Sequence, residues 1–521
     1  MLILTAPEMA GFDQQTINTI GIPGIVLMEN AARGAAEFFL ELYPELLDSR
    51  VAIVAGTGNN AGDGFVLARI FHTRGAQVRV FCLRDPGRLS GDALTNFHIL
   101  GNIGVSVTVW EETADFEAQW GLIDECDFLI DAILGTGLKT EVQGLYRDIV
   151  ERINTFSGPV LAVDVPSGLD ASTGRPLGAA VRASATATFG FLKIGHVVEP
   201  GTDLAGQVRV IDIGIPPDLP GISGVRRYWL TEEFLSPWVR PRLPDTHKGN
   251  AGHVCVLSGS RGKTGAATLI SLGAARAGAG LVTLFIPESL NPILEVKLTE
   301  AMTFPIRETP EQAPALSALP EILDFIRGKQ ALAMGPGIST GNETTALVRE
   351  LVRKVDCPMV LDADAITALS DDPATLRRAS APLVLTPHPG EMARICHCSV
   401  PEIQQNRLEK AAAFSTQYRV VLLLKGRRTI IAGPNGEIAI NSTGNPAMGS
   451  GGMGDALTGI IAGFLAQGFS PFQAACLGAF VHGAAADRAI AGIASRGLLA
   501  TDMLAEVPPV IGRLEGFREN S

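Results

Sequence analysis

Residues Gly449-Ser450-Gly451-Gly452-Met453-Gly454-Asp455 stand directly before a long apolar run. Glycines let a backbone approach a phosphate closely, and φ > 0 carries no steric penalty for them. The run Ala456 to Phe469 reads as a buried helix whose N-terminus points at that loop. A helix N-terminus presents unpaired N–H groups and a partial positive charge, so anions bind there. Asp455 would stand at the first turn, where a carboxylate takes a proton from a hydroxyl that attacks a phosphoryl group. The chemistry this spacing predicts is phosphoryl transfer.

A second group of residues lies in the first half of the chain. Gly56-Thr57-Gly58-Asn59-Asn60-Ala61-Gly62-Asp63-Gly64 follows a short apolar run and satisfies a loose dinucleotide fingerprint, Gly-x-Gly-x-x-Ala. A tight strand–helix turn would need the glycines but not Asn59, Asn60 and Asp63. No acidic residue stands at a strand end about twenty residues on, which argues against an ordinary hydride-transfer site. Asp131 and Asp164 each end an apolar run. Either one alone reads equally well as a solvated strand-end residue. Together with Asn60 and Ser167 they form an oxygen-rich set suited to a monovalent or hard cation.

These residues need a sheet to position them. Val51–Val54, Val78–Leu83, Val105–Val109, Phe128–Asp131 and Val160–Val163 read as buried strands alternating with helical segments, one of which runs from Phe65 to Arg74 after the loop 56–64. Such alternation predicts an α/β fold, a parallel sheet covered on both faces, with ligands at the carboxyl ends of its strands. Residues 214–221, rich in Pro and Gly, read as a linker. A second α/β series follows, with strands His253–Leu257, Leu281–Phe285, Ala331–Met334, Met359–Leu361, Leu383–Leu385 and Val420–Leu424. Two domains, 1–216 and 225–521, are expected, and 521 residues exceed what one ordinary core organises.

Composition narrows the function. The chain is 46% hydrophobic and 18% charged, as a globular protein is. A formal charge of −12 argues against broad nucleic-acid binding. The seven cysteines show no zinc or disulfide spacing, and Cys396-His397-Cys398 reads as a surface turn or buried thiols. Reduced thiols, with no signal peptide and no membrane-length apolar run, predict a cytoplasmic protein without a membrane partner. A homo-oligomer is expected. Leu257 to Thr264 imitates a P-loop but has Leu257 where the leading glycine belongs.

Residues 59–64, Asp131-Ala132-Ile133-Leu134-Gly135-Thr136-Gly137 and Asp164-Val165-Pro166-Ser167-Gly168 together resemble the NAD(P)H-hydrate epimerase domain, across residues 1 to about 216. The resemblance implies a Rossmann-like sheet and a potassium ion held by Asn60, Asp131 and Ser167. It implies substrate contacts from Asn59, Asn60, Ala61, Gly62 and Asp63, from Gly135, Thr136, Gly137, Leu138, Lys139, Thr140 and Glu141, and from Asp164, the candidate catalytic acid–base group for the family's reaction. Ala61 departs from the family, which usually has Gly there, and a slightly altered loop is expected.

The second half resembles the ribokinase-like group, and within it the ADP- or ATP-dependent NAD(P)H-hydrate dehydratases. The motifs are His247-Lys248-Gly249, Gly335-Pro336-Gly337, Leu361-Asp362-Ala363-Asp364-Ala365, Thr386-Pro387-His388-Pro389-Gly390-Glu391, Lys425-Gly426, Asn441-Ser442-Thr443-Gly444-Asn445 and the glycine loop, over about 225–515. The resemblance implies nucleotide contacts from Lys425, Gly426, Arg427, Arg428, Thr429 and Gly454. It implies hydrated-dinucleotide contacts from Gly265, Ala266, Gly337, His388 and Asp455, with Asp455 catalytic. Gly265 and Ala266 also read as close helix packing, and His388 between prolines as a rigid loop residue. Met453 replaces a Thr often found there. Mg²⁺ is expected with the nucleotide, and Glu391 could reach a metal-bound water. Bacterial fusions of this family imply ADP as donor, though the motifs do not separate ADP from ATP.

Together the resemblances imply a bifunctional enzyme that repairs hydrated NADH and NADPH. It would epimerise the R and S hydrates and then dehydrate the S form with a nucleotide, releasing phosphate and, from ADP, AMP. The alternatives are a ribokinase-group vitamin kinase with an accessory N-terminal domain, and an N-terminal module that binds without turnover.

Overall fold

The computed structural model describes residues 1–516; residues 517–521, the end of the expected second domain, lie outside it. The chain divides into two compact units, Leu2–Arg227 and Tyr228–Ser521, the latter joined by Met1.

In the first unit, near-continuous runs of Val, Ile, Ala and Phe form a parallel sheet buried on both faces. Its strands are β1 (Arg50–Ala55), β2 (Gln77–Leu83), β3 (Val107–Trp110), β4 (Phe128–Ala132), β5 (Val160–Val163), β6 (Ala185–Phe189) and β7 (Gln207–Ile211). They are ordered 3-2-1-4-5-6-7, and every pairing is parallel. The order reverses between β1 and β4, the switch point at which a doubly wound sheet opens a crevice for ligand. Gly56 leaves β1 there, and a Cβ on it would lie 2.2 Å from the Ile133 carbonyl oxygen, so only glycine lets the two strand ends meet. Helices α1 (Ala6–Gln15), α2 (Gly24–Leu42), α3 (Asn59–Thr73) and α4 (Gly91–Asn102) pack in this unit. On the far face Phe81 stacks on the buried Trp110, with ring centroids 4.5 Å apart.

Two expectations change here. Residues 59–64, read as loop, form the first turns of α3. Glycine and asparagine are weak helix formers, but tertiary packing overrides that preference. A Cβ on Gly62 would lie 2.6 Å from Met28 Cε and 3.0 Å from Ala93 Cα, so this glycine serves the contact with α2 and α4. The segment read as a linker is also packed: Leu219 within it, and Ile222 and Val225 just beyond it, are buried against the first unit's core.

The second unit carries a ten-stranded sheet. Its parallel run is Met302–Ile306, Leu281–Pro287, His253–Leu257, Ala331–Met334, Met359–Leu361, Leu383–Leu385 and Val421–Leu424, in that spatial order. The antiparallel pair Ile430–Ala432 and Ile438–Asn441 and the edge strand Arg227–Leu230 complete it. Helix α5 (Thr264–Arg276) lies against helix α6 (Met453–Ala466). Small residues set their close approach, since a Cβ on Gly459 would lie 2.1 Å from the Ile270 carbonyl oxygen. The helix expected from Ala456 to Phe469 thus starts and ends one turn earlier. Gly452, at φ 89°, ends the loop and caps α6, which places Asp455 in its first turn. Among the described residues no helix is long and apolar enough to cross a membrane.

Candidate functional sites

A cleft of about 700 Å³ opens at the carboxyl edge of the first sheet. Asn59, Asn60, Asp63, Gly135, Thr136, Gly137, Leu138, Lys139, Thr140 and Asp164 all line it. Ala61 and Gly62 do not: Ala61 is wholly buried in the core, and Gly62 meets Met28 and Ala93. The extra methyl of Ala61 is therefore absorbed by packing. Glu141 stands exposed outside the cleft.

Asp164 follows β5 with φ 63°, a left-handed conformation uncommon for a residue with a side chain. Its main-chain N–H donates to Ala187 O at 2.8 Å, which holds the turn against β6. The carboxylate accepts from Lys193 Nζ at 2.6 Å, and from the Thr188 hydroxyl and the Phe189 N–H, each at 3.2 Å. Lys193 is completely buried and also donates to Thr188 Oγ1 and Phe189 O. Burial pushes the Asp164 carboxyl up, but the Lys193 charge and the hydrogen bonds from Lys193 and the Phe189 N–H are among the effects that together hold the group below the usual range. The His196 ring completes the set, with Nε2 3.0 Å from Asp164 O, and burial lowers its pKa to about 3. Lys193, Thr188 and His196 were not foreseen from the sequence. The signal available was Lys193 itself, a lysine inside the apolar run Phe191-Leu192-Lys193-Ile194, because a buried lysine requires a partner.

Asp131 is wholly buried, and its donors are all neutral: Ser167 Oγ at 2.5 Å, Ser167 N at 2.8 Å and Ile133 N at 3.2 Å. Burial pushes its pKa up to about 6 against those bonds. Asn60 lies beside the same loop, with Oδ1 3.3 Å from where a Cβ on Gly135 would be. Its Nδ2 is buried without a hydrogen-bond partner. Turning the amide over would place an oxygen there. A buried carboxylate without a cationic partner, flanked by a hydroxyl and an amide, fits a weakly held monovalent cation.

In the second unit, Asp362, Lys425, Glu391, Gly454, Asp455 and Thr458 converge. Lys425 Nζ lies 2.7 Å from Asp362 Oδ1 and 3.8 Å from Glu391 Oε2. Thr458 on α6 donates to Asp362 Oδ2 at 2.8 Å. A Cβ on Gly454 would lie 3.4 Å from Lys425 Nζ, so the first turn of α6 lies beside that ammonium. Burial first, and then the negative Asp362, push the Asp455 carboxyl up to about 6 despite Lys425. Ala363, at φ 49°, turns the chain so that Asp364 accepts from Ser339 N at 2.9 Å and pairs with Lys263 at 3.2 Å. His388 caps the helix Pro389–Ile395, accepting from Gly390 N at 2.9 Å, while Glu391 accepts from His388 N at 2.8 Å. The rigid-loop reading of His388 thus has a cause, a reciprocal cap.

Gly337 approaches Lys263 and Ala266, while a Cβ on Gly265 would meet nothing within 4 Å. Close packing therefore does not account for Gly265. Beyond Lys425, Thr429 donates to Gly426 O at 2.8 Å and Arg428 donates to Ser442 O at 2.8 Å. Arg427 O accepts from Arg407 at 2.8 Å, so main-chain bonds shape this loop. Thr458 is a further member that the sequence motifs did not single out, and Asp362, quoted there within 361–365, was given no role. Among the described residues no three His, Cys, Asp or Glu side chains are grouped to hold a metal.

A doubly wound sheet with a polar switch-point cleft, followed by a mostly parallel sheet with a glycine loop that opens a helix bearing an acid in its first turn, defines a two-domain α/β enzyme. The family model for NAD(P)H-hydrate dehydratases matches residues 254–509, and that for the YjeF-related protein N-terminus matches residues 24–195. The bifunctional NAD(P)H-hydrate repair enzyme Nnr of Moorella thermoacetica is 43% identical over 99% of this chain and 97% of its own length. The enzyme of the same name from Escherichia coli is 33% identical over 97% of this chain and 93% of its own. The chain belongs to the family of bifunctional NAD(P)H-hydrate repair enzymes. A Bacillus subtilis ADP/ATP-dependent NAD(P)H-hydrate dehydratase, co-crystallised with ATP and Mg²⁺, is 32% identical over 55% of this chain and 99% of its own, with a TM-score of 0.49.

Proposed function

We propose that the first unit interconverts the R and S epimers of hydrated NADH and NADPH, and that the second dehydrates the S epimer using ADP. The observation that carries this reading is Asp455 in the first turn of α6, which follows the glycine loop and lies beside Lys425.

The substrate ring is a carbinolamine, with a hydroxyl on C6 next to the ring nitrogen. In the first unit the nitrogen lone pair expels that hydroxyl, which takes a proton from a carboxylic acid of the cleft and leaves as water, and water returns on the other face. Asp164, paired with Lys193, takes the proton of the entering water. Asn60, Asp131 and Ser167 would hold potassium, which supplies a fixed positive charge at the cleft when bound. In the second unit Asp455 takes the proton of the C6 hydroxyl as its oxygen attacks the terminal phosphoryl group of the nucleotide. The loop N–H groups and Lys425 stabilise the charge of that transfer. Phosphate then leaves with the C–O electron pair, and loss of a C5 proton restores the dihydronicotinamide. Glu391 is the nearby carboxylate that would face Mg²⁺ brought by the nucleotide, which would supply positive charge against the phosphates.

Release of one inorganic phosphate for each reduced nucleotide formed tests the proposal. A stable phosphorylated hydrate accumulating instead would identify a kinase. The acid–base assignment also sets a pH dependence. Asp455 must be ionised to act, and its carboxyl is raised to about 6, so dehydratase kcat rises with pH through that value. At pH 5 about one molecule in ten carries the active form. A kcat flat from pH 5 to pH 8 would contradict the assignment. Exchanging potassium for lithium, a poorer match to a site of fixed oxygen donors, is expected to slow epimerisation while leaving dehydration of pure S hydrate unchanged. Chiral chromatography of the hydrate checks this.

A further inference from the structure

The cleft of the first unit has a wall that neither the motifs nor the family model covers. Met9, Asp13 and Ile17 recur at helical spacing along α1 and the turn that continues it, and all three line the cleft. The matched family segment begins only at residue 24. Asp13 is the charged residue that this wall presents to the cleft. Its Oδ1 is buried with no hydrogen-bond partner. An ionised carboxylate so placed loses solvation without compensation, whereas a neutral carboxyl loses far less.

The groups around it differ in kind. Asp164 and Lys193 form an ion pair at the end of β5. Asp63 on α3 is nearly buried, Asp92 starts α4, and Lys139 lies on the loop after β4; all three line the same cleft. Burial raises the Asp13 carboxyl to about 6, Lys193 opposing and Asp164 adding to the rise. Asp164 is shifted the other way. Two carboxyl groups whose surroundings separate their protonation are the mark of an acid and a base sharing one site.

We propose that Asp13 is a second catalytic residue of the epimerase, protonating the departing C6 hydroxyl while Asp164, paired with Lys193, deprotonates the entering water. This rests on the reading of the cleft as the epimerase site. In the first step the Asp13 proton moves to the C6 oxygen, the C6–O bond breaks, and the ring-nitrogen lone pair forms N1=C6. In the second, water oxygen bonds to C6 on the opposite face, the N1=C6 pair returns to nitrogen, and the water proton passes to Asp164. One proton has crossed from Asp13 to Asp164, and exchange with solvent through the open cleft resets both. The reverse epimerisation exchanges the two roles.

The test uses the full chain and follows R-to-S conversion above the spontaneous rate. Asp13→Asn is expected to lower kcat at least 100-fold, with KM changed less than about threefold. Wild-type kcat is expected to fall as pH rises above about 6, and Asp13→Glu to retain that alkaline limb while Asp13→Asn lacks it. Asp13→Asn at the wild-type rate, or a loss confined to KM, would overturn the proposal. Loss in a parallel Asp164→Asn would then leave the cleft reading intact. Wild-type conversion in Asp164→Asn would instead bring down the cleft reading and the proposal with it. The wild-type pH profile needs no variant to fold, and a profile without an alkaline limb overturns the proposal by itself.

Discussion

Asp455→Asn is expected to abolish dehydration, lowering kcat by about 10³-fold, while epimerisation in the same sample continues at the wild-type rate. Asparagine keeps the shape of the side chain and the first turn of α6, so nucleotide binding is expected to change little. What it loses is the capacity to accept the hydroxyl proton. The neighbouring carboxylates are already engaged: Asp362 with Lys425 and Thr458, Asp364 with Ser339 and Lys263, and Glu391 with the His388 N–H. Steady-state appearance of the reduced ring measures the effect. A fall of less than tenfold would mean that Asp455 is not the base.

Lys193→Met is expected to damage the first unit in two ways. Methionine fills much of the same buried volume but removes the ammonium that neutralises Asp164. Removing one partner of a buried pair costs about 3–5 kcal/mol, because the remaining charge is left uncompensated. That cost is expected to shrink as pH falls. Without Lys193 burial dominates, the Asp164 carboxyl rises from its depressed value, and once protonated it no longer needs a cation. The same protonation removes the base at neutral pH, so epimerase kcat is expected to fall at least 100-fold. Denaturant unfolding at pH 7 and pH 5 reads the first effect and chiral chromatography the second. A variant equally stable at both pH values, with wild-type epimerisation, would show that the pair serves neither role.

The parallel strands are legible in the sequence because buried strands need unbroken apolar runs, and Val160–Val163, His253–Leu257 and Ala331–Met334 occupy the expected residues. Ala185–Phe189 is harder to read, since Thr186 and Thr188 interrupt it. Both threonines are buried, and their hydroxyls are satisfied by Ala205 O and by the Asp164–Lys193 pair. The hairpin strands Ile430–Ala432 and Ile438–Asn441 are too short to carry a period.

The same contrast runs through the sites. Glycine loops and strand-end aspartates announce themselves by local spacing, so Asn60, Asp131, Asp164 and Asp455 are visible at once. Lys193 and Asp362 act through partners 29 and 63 residues away in the chain, and no local pattern encodes such a distance. Asp13 is hidden for another reason. It lies on a short helix that carries no motif, and only the fold turns that helix toward the cleft.

The two units are held to act in succession on one damaged coenzyme, and a racemic hydrate supplied with excess ADP tests this most directly. Wild-type protein is predicted to return the whole of the hydrate as reduced nucleotide. Asp164→Asn is predicted to return the S half at the wild-type rate and the remainder only as fast as the epimers interconvert unaided. Complete recovery at the wild-type rate by Asp164→Asn, or a wild-type sample that stops at half, would contradict the account.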